Sequence, residues 1–559
     1  MSTALSNRTM QEKFSDVVRR AARTLVSEGL LPGESLDRTL TVEKPRDPEH
    51  GDLATNAALV LAGDARCAPR QLAEHFSRVM RPDIESDAHF CSLEIAGPGF
   101  INLRLSDQYL QELLRAILET ESYGVWQRGG GRRVLVEFVS ANPTGPLVVV
   151  QARSAALGDV IVRLLRRIGY DAHSEYYVND AGGQLQKLGL SMEARVRELM
   201  GEEVTLPEGA YPGEYVRDLA GLYLQARGSE EMSRDALGRF AAEELVKQHR
   251  ELLRRYGVEF DRWYRESEVR ASGGPERVLR LLRERGHLYD SQGAVWLRST
   301  TFGDDKDRVL VKGDGSYTYL LPDLAYHLNK LERGYDWLID ILGPDHHGYV
   351  ARMQAGLCAL GYPEDALYVL ISQWVRLLSG GEEMSMSKRA GTFVSMEELL
   401  DEVGADAARF FFVMRSPSSP LDFDLDLAKS QSAENPVFYA QYAHARISGI
   451  MDEARRRGVE TDAPPEHLDL LEHPREQQLV RLLGDFPGEV LQAAEGLEPQ
   501  RIASYVLDLA AAFHIFYTEC RILNADACMT RARLSLAGAC RKVLASALDL
   551  LGVAAPDQM

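Results

Sequence analysis

Residues Val134–Val178 read VLVEFVSANPTGPLVVVQARSAALGDVIVRLLRRIGYDAHSEYYV. Val134–Phe138 is a short apolar run suited to a buried strand, and Ser140-Ala141-Asn142-Pro143-Thr144-Gly145-Pro146 is rich in turn formers. Ala155, Ala156, Ile161, Leu164, Leu165 and Ile168 then recur at helical spacing until Gly169, and a second strand follows at Glu175–Val178. Strand, loop, helix and strand in this order open a parallel nucleotide-binding α/β sheet of the Rossmann-like kind. Further strands are expected at Trp337–Leu342 and Leu367–Ile371, each followed by a helical stretch. A charged, mostly helical segment between about 185 and 300 reads as an insertion.

Upstream, helical periodicity in Phe14–Leu25 and Gln71–Met80 alternates with turn-rich segments. Leu93–Leu105 (LEIAGPGFINLRL) reads as two short strands around a Gly-Pro-Gly turn. Downstream of about 405 the pattern is almost entirely helical, with apolar stripes at Tyr505, Leu509, Ala512, Phe513 and Phe516 and at Val543, Leu544, Ala547, Leu548 and Leu551. The chain therefore reads as multidomain α/β. An N-terminal α+β domain is expected at 1–125, a parallel-sheet domain at 126–405 and an all-α helix bundle at 406–559.

With 559 residues, 45% apolar and 26% charged, the chain has the composition of an ordinary globular protein. No run of about 18 uncharged apolar residues suggests a membrane span, and Met1–Glu12 lacks the pattern of a secretory signal. Six scattered cysteines show no CxxC pair, which suits a reducing compartment, so the cytoplasm is expected. The formal net charge of −19 argues against indiscriminate nucleic-acid binding and against DNA as a partner; an RNA partner would need local basic patches.

The segment VEFVSANPTGPLVVVQARSAALGD (136–159) resembles the start of the arginyl-tRNA synthetase catalytic domain. Matching stretches follow in order over nearly the whole chain: KPRDPEHGDLATNAALVLA (44–62), YYVNDAGG (176–183), YTYLLPDLAYHLNKLERGYD (317–336), GPDHHGY (343–349), MSKRAGTFV (386–394) and DAARFFFVMRSPSSPLDFDLDLAKSQSAENPVFYAQYAHARI (406–447). The resemblance implies a class I ligase that uses ATP, brought with Mg²⁺, to activate L-arginine and transfer it to tRNA(Arg). It implies a monomer with no protein-held metal.

The same resemblance carries arginine recognition to Glu137, Asn142, Tyr319, Asp323 and His347. Carboxylates suit a planar cation with five donors, because two of them give charge and forked hydrogen-bond geometry together. Asn142 would hold the α-amino or carboxylate group, and Tyr319 and Asp323, four residues apart, would share a helix face.

Class I synthetases carry His-x-Gly-His after the first strand, where histidines stabilise phosphate charge and glycine admits the adenine. In this chain those positions are Val148, Val149, Val150 and Gln151. Only Gln151 can still donate, and Val150 places a branched Cβ where the family has none. The second nucleotide element is Ser385-Met386-Ser387-Lys388-Arg389, with Lys388 at the second-lysine position to neutralise departing pyrophosphate. Arg153, Asn179, Asp180 and Gln184 are further candidates for shaping the cleft, and Asp345, His346 and His347 resemble the family's nucleotide and substrate loop.

For tRNA, Phe100 and Asn102 match positions that read a D-loop base by stacking and amide hydrogen bonds. Tyr439, Tyr442, Arg446, Arg521 and the tail Ala554–Met559 are anticodon-side candidates. The reading is an arginine–tRNA ligase. The alternative, raised by Val148–Gln151, is a paralogue deficient in adenylation that acts as an arginine- or tRNA-binding regulator.

Overall fold

The computed structural model describes residues 8–45, 47–228, 232–384, 394–461, 463–524 and 526–559. It begins with α1 (Met10–Ser27), β1 (Val42–Glu43), β2 (Leu53–Thr55), α2 (Ala57–Ala65), α3 (Pro69–Ser86), β3 (Phe90–Ala96) and β4 (Phe100–Leu105). The strands pair antiparallel in the order β1-β2-β4-β3 and share a core of Phe14, Leu25, Phe76 and Ile101. Thr9 starts α1 with a reciprocal cap, its hydroxyl accepting from Glu12 N–H while the Glu12 carboxylate accepts from Thr9 N–H, both at 3.0 Å. The next helix, α4 (Asp107–Glu119), packs elsewhere. Its stripe of Leu110, Leu113, Leu114 and Ile117 joins the core of the C-terminal helices, because α1 and α3 already serve the N-terminal sheet. The self-contained N-terminal core thus stops at β4, short of the boundary expected near residue 125.

The central region follows as β5 (Arg133–Glu137), α5 (Val149–Arg167), β6 (Asp171–Val178), α6 (Gly183–Leu199), α7 (Glu214–Arg227), α8 (Arg234–Arg255), β7 (Arg262–Arg265), α9 (Glu266–Ala271) and α10 (Gly274–Glu284). Then come β8 (Leu288–Ser291), β9 (Ala294–Leu297), β10 (Arg308–Val311), α11 (Leu320–Glu332), β11 (Trp337–Leu342), α12 (Val350–Ala359) and β12 (Leu367–Ile371). Five strands form a parallel sheet in the order β12-β11-β5-β6-β7. Chain order reverses between β5 and β11, and the crevice at their carboxyl ends is where such sheets bind ligands. Gly158 lets α5 lie directly on this sheet, since a Cβ there would stand 2.2 Å from the Phe138 ring.

The stretch 185–300 is less uniformly helical than its sequence suggests. Helices α6–α8 enclose a small core of their own around Leu188, Leu219 and Leu245. β7 (RWYR) is the edge strand of the central sheet, and β8, β9 and β10 form a separate antiparallel sheet. Arginines flank the aromatic pair of β7 and hide its strand pattern.

The rest comprises β13 (Val375–Ser379), β14 (Glu382–Glu383), α13 (Met396–Val403), α14 (Ala405–Val413), β15 (Leu421–Asp424), α15 (Leu425–Lys429), α16 (Pro436–Arg456), α17 (Pro474–Glu495), α18 (Gln500–Glu519) and α19 (Ala527–Leu551). β15 pairs parallel with β13, so one strand interrupts the region expected to be helical after 405. The two expected stripes of α18 and α19 face the bundle core, with Ala512 at its margin. Buried Arg409 ties the bundle to the sheet domain by pairing with Asp159 and donating to the Leu551 carbonyl at 3.0 Å. Gly552 turns the chain beside it at φ +65° and has no room for a Cβ against that guanidinium.

Candidate active site

The parallel register sets Asp340 of β11, Glu137 of β5 and Glu175 of β6 side by side across three strands. All three are buried, so each needs a cation or donors. Helix α11 supplies them. Lys330 Nζ reaches Glu137 at 2.6 Å and Asp340 at 2.9 Å, with the Tyr326 ring 4.4 Å below it. His327 Nε2 lies 2.6 Å from Asp340, and Arg333 forks onto Glu175 at 2.6 and 2.8 Å, joined by the Tyr326 hydroxyl at 2.6 Å. Burial works against the Lys330 charge, but Asp340 and Glu137 outweigh it and hold its pKa above the usual lysine range. Burial likewise works against the Asp340 charge, and Lys330 and His327 outweigh it, keeping its pKa below the usual carboxylate range.

A cavity of about 590 Å³ opens over this row at the strand ends, lined by Glu137, Tyr177, Asp323, Tyr326, Tyr349 and Tyr319 among others. Asp323 is its unbalanced member. It accepts from the Tyr349 hydroxyl and has no ion-pair partner among the described residues. Burial pushes its pKa up to about 6, with the Tyr349 hydroxyl pulling the other way and the Glu137 and Glu266 charges adding to the rise. Burial and the charges of Glu266, Asp323 and Glu137 together raise the Tyr177 phenol above its ordinary range. The cavity wall also carries Arg352 and Arg308, the latter paired with Asp304, so Asp323 is the one lining carboxylate without an ion-pair partner among the described residues.

Three of the expected arginine-site residues meet here, with differences. Glu137 lines the cavity, but it is already bonded to Lys330 and accepts from Ser140 Oγ at 2.8 Å. Asp323 lies on α11 and Tyr319 is that helix's N-cap, with helical backbone angles and its carbonyl accepting from Asp323 N–H at 3.3 Å; both line the cavity, Tyr319 standing 92% exposed at the rim. His347 is exposed and away from the cavity wall. The 3₁₀ turn Pro344–Tyr349 instead places His346, itself exposed, and Tyr349 on the cavity wall, three residues apart, as its three-residue repeat dictates. Asn142 is exposed on the loop between β5 and α5 and is not part of the cavity wall. Asp345 and Gln184 are exposed.

Several residues escaped the sequence reading: Lys330, Tyr349, Tyr177 and Glu266. Lys330 was legible as two turns beyond Asp323 on one face of α11. Glu266 follows β7 as Glu137 ends β5, but with β7 unread its strand-end position was invisible. Glu266 is buried, pairs with Arg270, and receives the Asn179 amide at 2.7 Å. Asp180 accepts from Ser267 N–H at 2.9 Å and Oγ at 2.8 Å, holding the start of α9.

At the nucleotide side, Val148 caps α5 and Val149 is buried in the core. Gln151 Oε1 accepts the Val148 N–H at 2.9 Å, half of a capping box, since valine has no acceptor to return. The Gln151 oxygen is thus engaged in the helix start, leaving its Nε2 as the one side-chain donor at these four positions. Val148 bridges to Ser395, and Met396 N–H donates to the Leu147 carbonyl at 2.8 Å. The flank of the second nucleotide element is therefore stitched to the first. Ser385, Met386, Ser387, Lys388 and Arg389 lie outside the described residues. Arg153 does not reach the cleft: fully buried, it donates to the carbonyls of Gln373, Ser416 and Ser419 at 2.9–3.0 Å, and burial pushes its pKa down to about 10.

Of the expected RNA contacts, Phe100 is 42% exposed, whereas Asn102 is 3% exposed, enclosed by β2 and β3 on either side, and presents no amide to solvent. On the bundle, Phe438 stacks on Tyr442, Tyr439 and Tyr442 flank His514, and Arg446 lies 5.3 Å over Tyr442 and 4.4 Å over Tyr517. Met559 is exposed, and the tail is anchored where the Ser448 hydroxyl donates to Asp557 at 2.7 Å. Arg521 Nε donates to the Leu523 carbonyl in its own turn.

Three family models match in order. The arginyl tRNA synthetase N terminal domain covers residues 8–105, the tRNA synthetases class I (R) catalytic domain residues 113–415, and the DALR anticodon binding domain residues 440–559. A protein of Symbiobacterium thermophilum named arginine–tRNA ligase is 47% identical over 98% of both chains, and one of the same name from Desulforudis audaxviator is 48% identical over 97% of this chain and 98% of its own. The fold superposes on the solved Thermus thermophilus arginyl-tRNA synthetase with a TM-score of 0.78 at 23% identity, over 99% of this chain and 100% of that one. With a catalytic-domain match over half its length and near-half identity end to end, the chain belongs to the arginyl-tRNA synthetase family.

Proposed function

We infer that the chain joins L-arginine to tRNA(Arg), cleaving ATP to AMP and pyrophosphate. The observation that carries this reading is Asp323, a carboxylate with no ion-pair partner among the described residues, facing a cavity that already contains Glu137 and adjoins Glu266. A guanidinium supplies the missing charge and forked donors to more than one carboxylate, which an ammonium cannot do with the same geometry.

In this reading Asp323, Glu137, Tyr319 and Glu266 take the guanidinium, with His346 nearby and Asn142 at the α-amino end. The carboxylate of arginine attacks the α-phosphorus of ATP, and pyrophosphate leaves. The terminal ribose hydroxyl of tRNA then attacks the carbonyl of the mixed anhydride, and AMP leaves. The protein contributes positioning and charge stabilisation. ATP, brought with Mg²⁺, would bind at the start of α5 near Val148, Val150 and Gln151, and the role proposed for Lys388 with Ser385, Met386 and Ser387 is to neutralise charge on the departing pyrophosphate. Phe100 stacks on a D-loop base, and Tyr439, Tyr442, Arg446 and Met559 meet the anticodon side. All six cysteines are free, in keeping with a cytoplasmic protein.

Arginine-dependent ATP–pyrophosphate exchange, measured with and without tRNA(Arg), tests the reading. Exchange and arginine-charged tRNA are the expected results. Arginine binding without exchange under either condition would favour the adenylation-deficient paralogue, for which the engaged Gln151 oxygen is the supporting observation.

A further inference from the structure

The loop between β5 and α5 is strained and held from outside. Val139 and Ser140 take φ values of +68° and +37°, and the first is β-branched, a conformation that persists only where surrounding contacts enforce it. Near its start, Val139 N–H donates to Ser154 Oγ at 3.1 Å, and Ser140 Oγ bridges Glu137 to the Tyr177 N–H. Beyond Ser140, three side chains from three different elements bond its carbonyls. Tyr176 of β6 donates to the Ala141 carbonyl at 3.0 Å, Tyr215 of α7 to the Thr144 carbonyl at 2.7 Å, and His249 Nε2 of α8 to the Gly145 carbonyl at 2.8 Å.

These bonds are selective. A carbonyl only accepts, so Nε2 of His249 carries a proton, and Nδ1 faces the Tyr176 hydroxyl at 3.1 Å. Tyr176 and His249 are buried, and Tyr176 is stacked on Trp263 at 4.2 Å, so neither ring is free to turn away. Asn142, between the held carbonyls, stays exposed with its amide open. Two of the three clamps, Tyr215 and His249, lie on the α6–α8 insertion, which has a separate core and contributes nothing to the cavity wall.

We propose that Tyr215 and His249 are positioning residues for arginine binding: through the Thr144 and Gly145 carbonyls, the insertion sets the loop that presents Asn142 to the amino acid. This rests on the arginine-site reading given above. The insertion thereby becomes part of the specificity apparatus without touching the substrate.

Titration calorimetry with L-arginine on the full chain tests it, using Tyr215→Phe, His249→Leu, His249→Gln and, as a separate control, Asp323→Asn. Loss of one loop bond in Tyr215→Phe or His249→Leu is expected to weaken arginine about 3- to 10-fold. Glutamine at 249 keeps an N–H donor and is expected to recover most of the His249→Leu loss, which mere packing would not do. Tyr215→Phe removes one oxygen from a half-buried ring, so it keeps the question open if His249→Leu fails to fold. Parental affinity in Tyr215→Phe, or no recovery with glutamine, overturns the proposal while Asp323→Asn still abolishes binding. Intact binding in Asp323→Asn would instead overturn the arginine-site reading itself.

Discussion

Tyr123 donates its hydroxyl to the Leu483 carbonyl at 2.8 Å, at the place where α17 contains Pro487. Proline has no N–H, so the carbonyl four residues earlier loses its helical donor. Tyr123, from the segment joining α4 to β5, supplies the replacement, and Trp126 Nε1 donates to the Pro487 carbonyl at 2.8 Å alongside. The linker thus plugs a gap that the helix bundle creates. Tyr123→Phe is expected to cost about 1 kcal/mol of unfolding free energy in the parent, and much less when Pro487→Ala restores the helical donor. A double-mutant cycle by urea denaturation checks this, and equal costs in both backgrounds would refute it.

Asp323 should govern the pH dependence of arginine binding. Its pKa of about 6 means that the free site holds a proton below that pH, and the guanidinium needs the ionised form. Arginine affinity should rise with pH up to about 6 and level off above it. Asp323→Asn should remove the inflection and weaken binding about 100-fold or more, consistent with the loss of a charge-assisted partner. The stability effect has the opposite sign. The folded state holds this proton more tightly than the unfolded chain, so the Asp323 contribution declines as pH rises from the ordinary aspartate value of 3.8 towards 6. Calorimetry and thermal melts across this range measure both.

Lys330 stands between two buried carboxylates, so Lys330→Met should be among the most damaging single changes in the sheet domain. Removing one partner of a buried ionic cluster leaves uncompensated charge and typically costs about 3–5 kcal/mol. The unfolding midpoint should drop accordingly. A loss below about 1 kcal/mol would mean that water already screens Glu137 and Asp340.

The first nucleotide element can be tested by restoring it. Val148→His, Val150→Gly and Gln151→His together should raise the arginine-dependent exchange rate, by about 10²-fold or more if each histidine stabilises transition-state charge. Gln151→His also removes the acceptor of the Val148 N–H, so a fall in stability of about 1 kcal/mol or less should accompany the gain. An unchanged exchange rate would place the limiting step elsewhere.

The aromatic cluster on the bundle should respond to salt. Arg446→Ala should weaken tRNA binding and reduce its salt dependence by about one phosphate equivalent, whereas Tyr442→Phe should leave the salt slope unchanged. Filter binding at several ionic strengths distinguishes them.

The strand–turn–helix pattern around Val134–Val178 was readable because a buried parallel strand and an amphipathic helix each leave a periodic trace in sequence. Asp323 and Glu137, which lie on or end such elements, were reached through the family resemblance and not through periodicity. Periodicity failed at β7, where arginines flank the aromatics, and with β7 it missed Glu266. The resemblance carried roles to His347 and Asn102, but a 3₁₀ turn and a strand between two neighbours decide which side chain faces in, and neither is visible along one chain.

Sequence by itself determined most of the elements around Val134–Val178 and in the helix bundle, and the substitution at Val148–Gln151, because propensity, periodicity and residue chemistry are local. Only the tertiary structure decided which charges are answered. Lys330 pairs with Glu137 and Asp340 from nearly two hundred residues away and ten residues away, while Asp323 has no ion-pair partner among the described residues. Pairing of buried charge depends on strand register and helix placement, which bring together groups whose separation along the chain carries no such information.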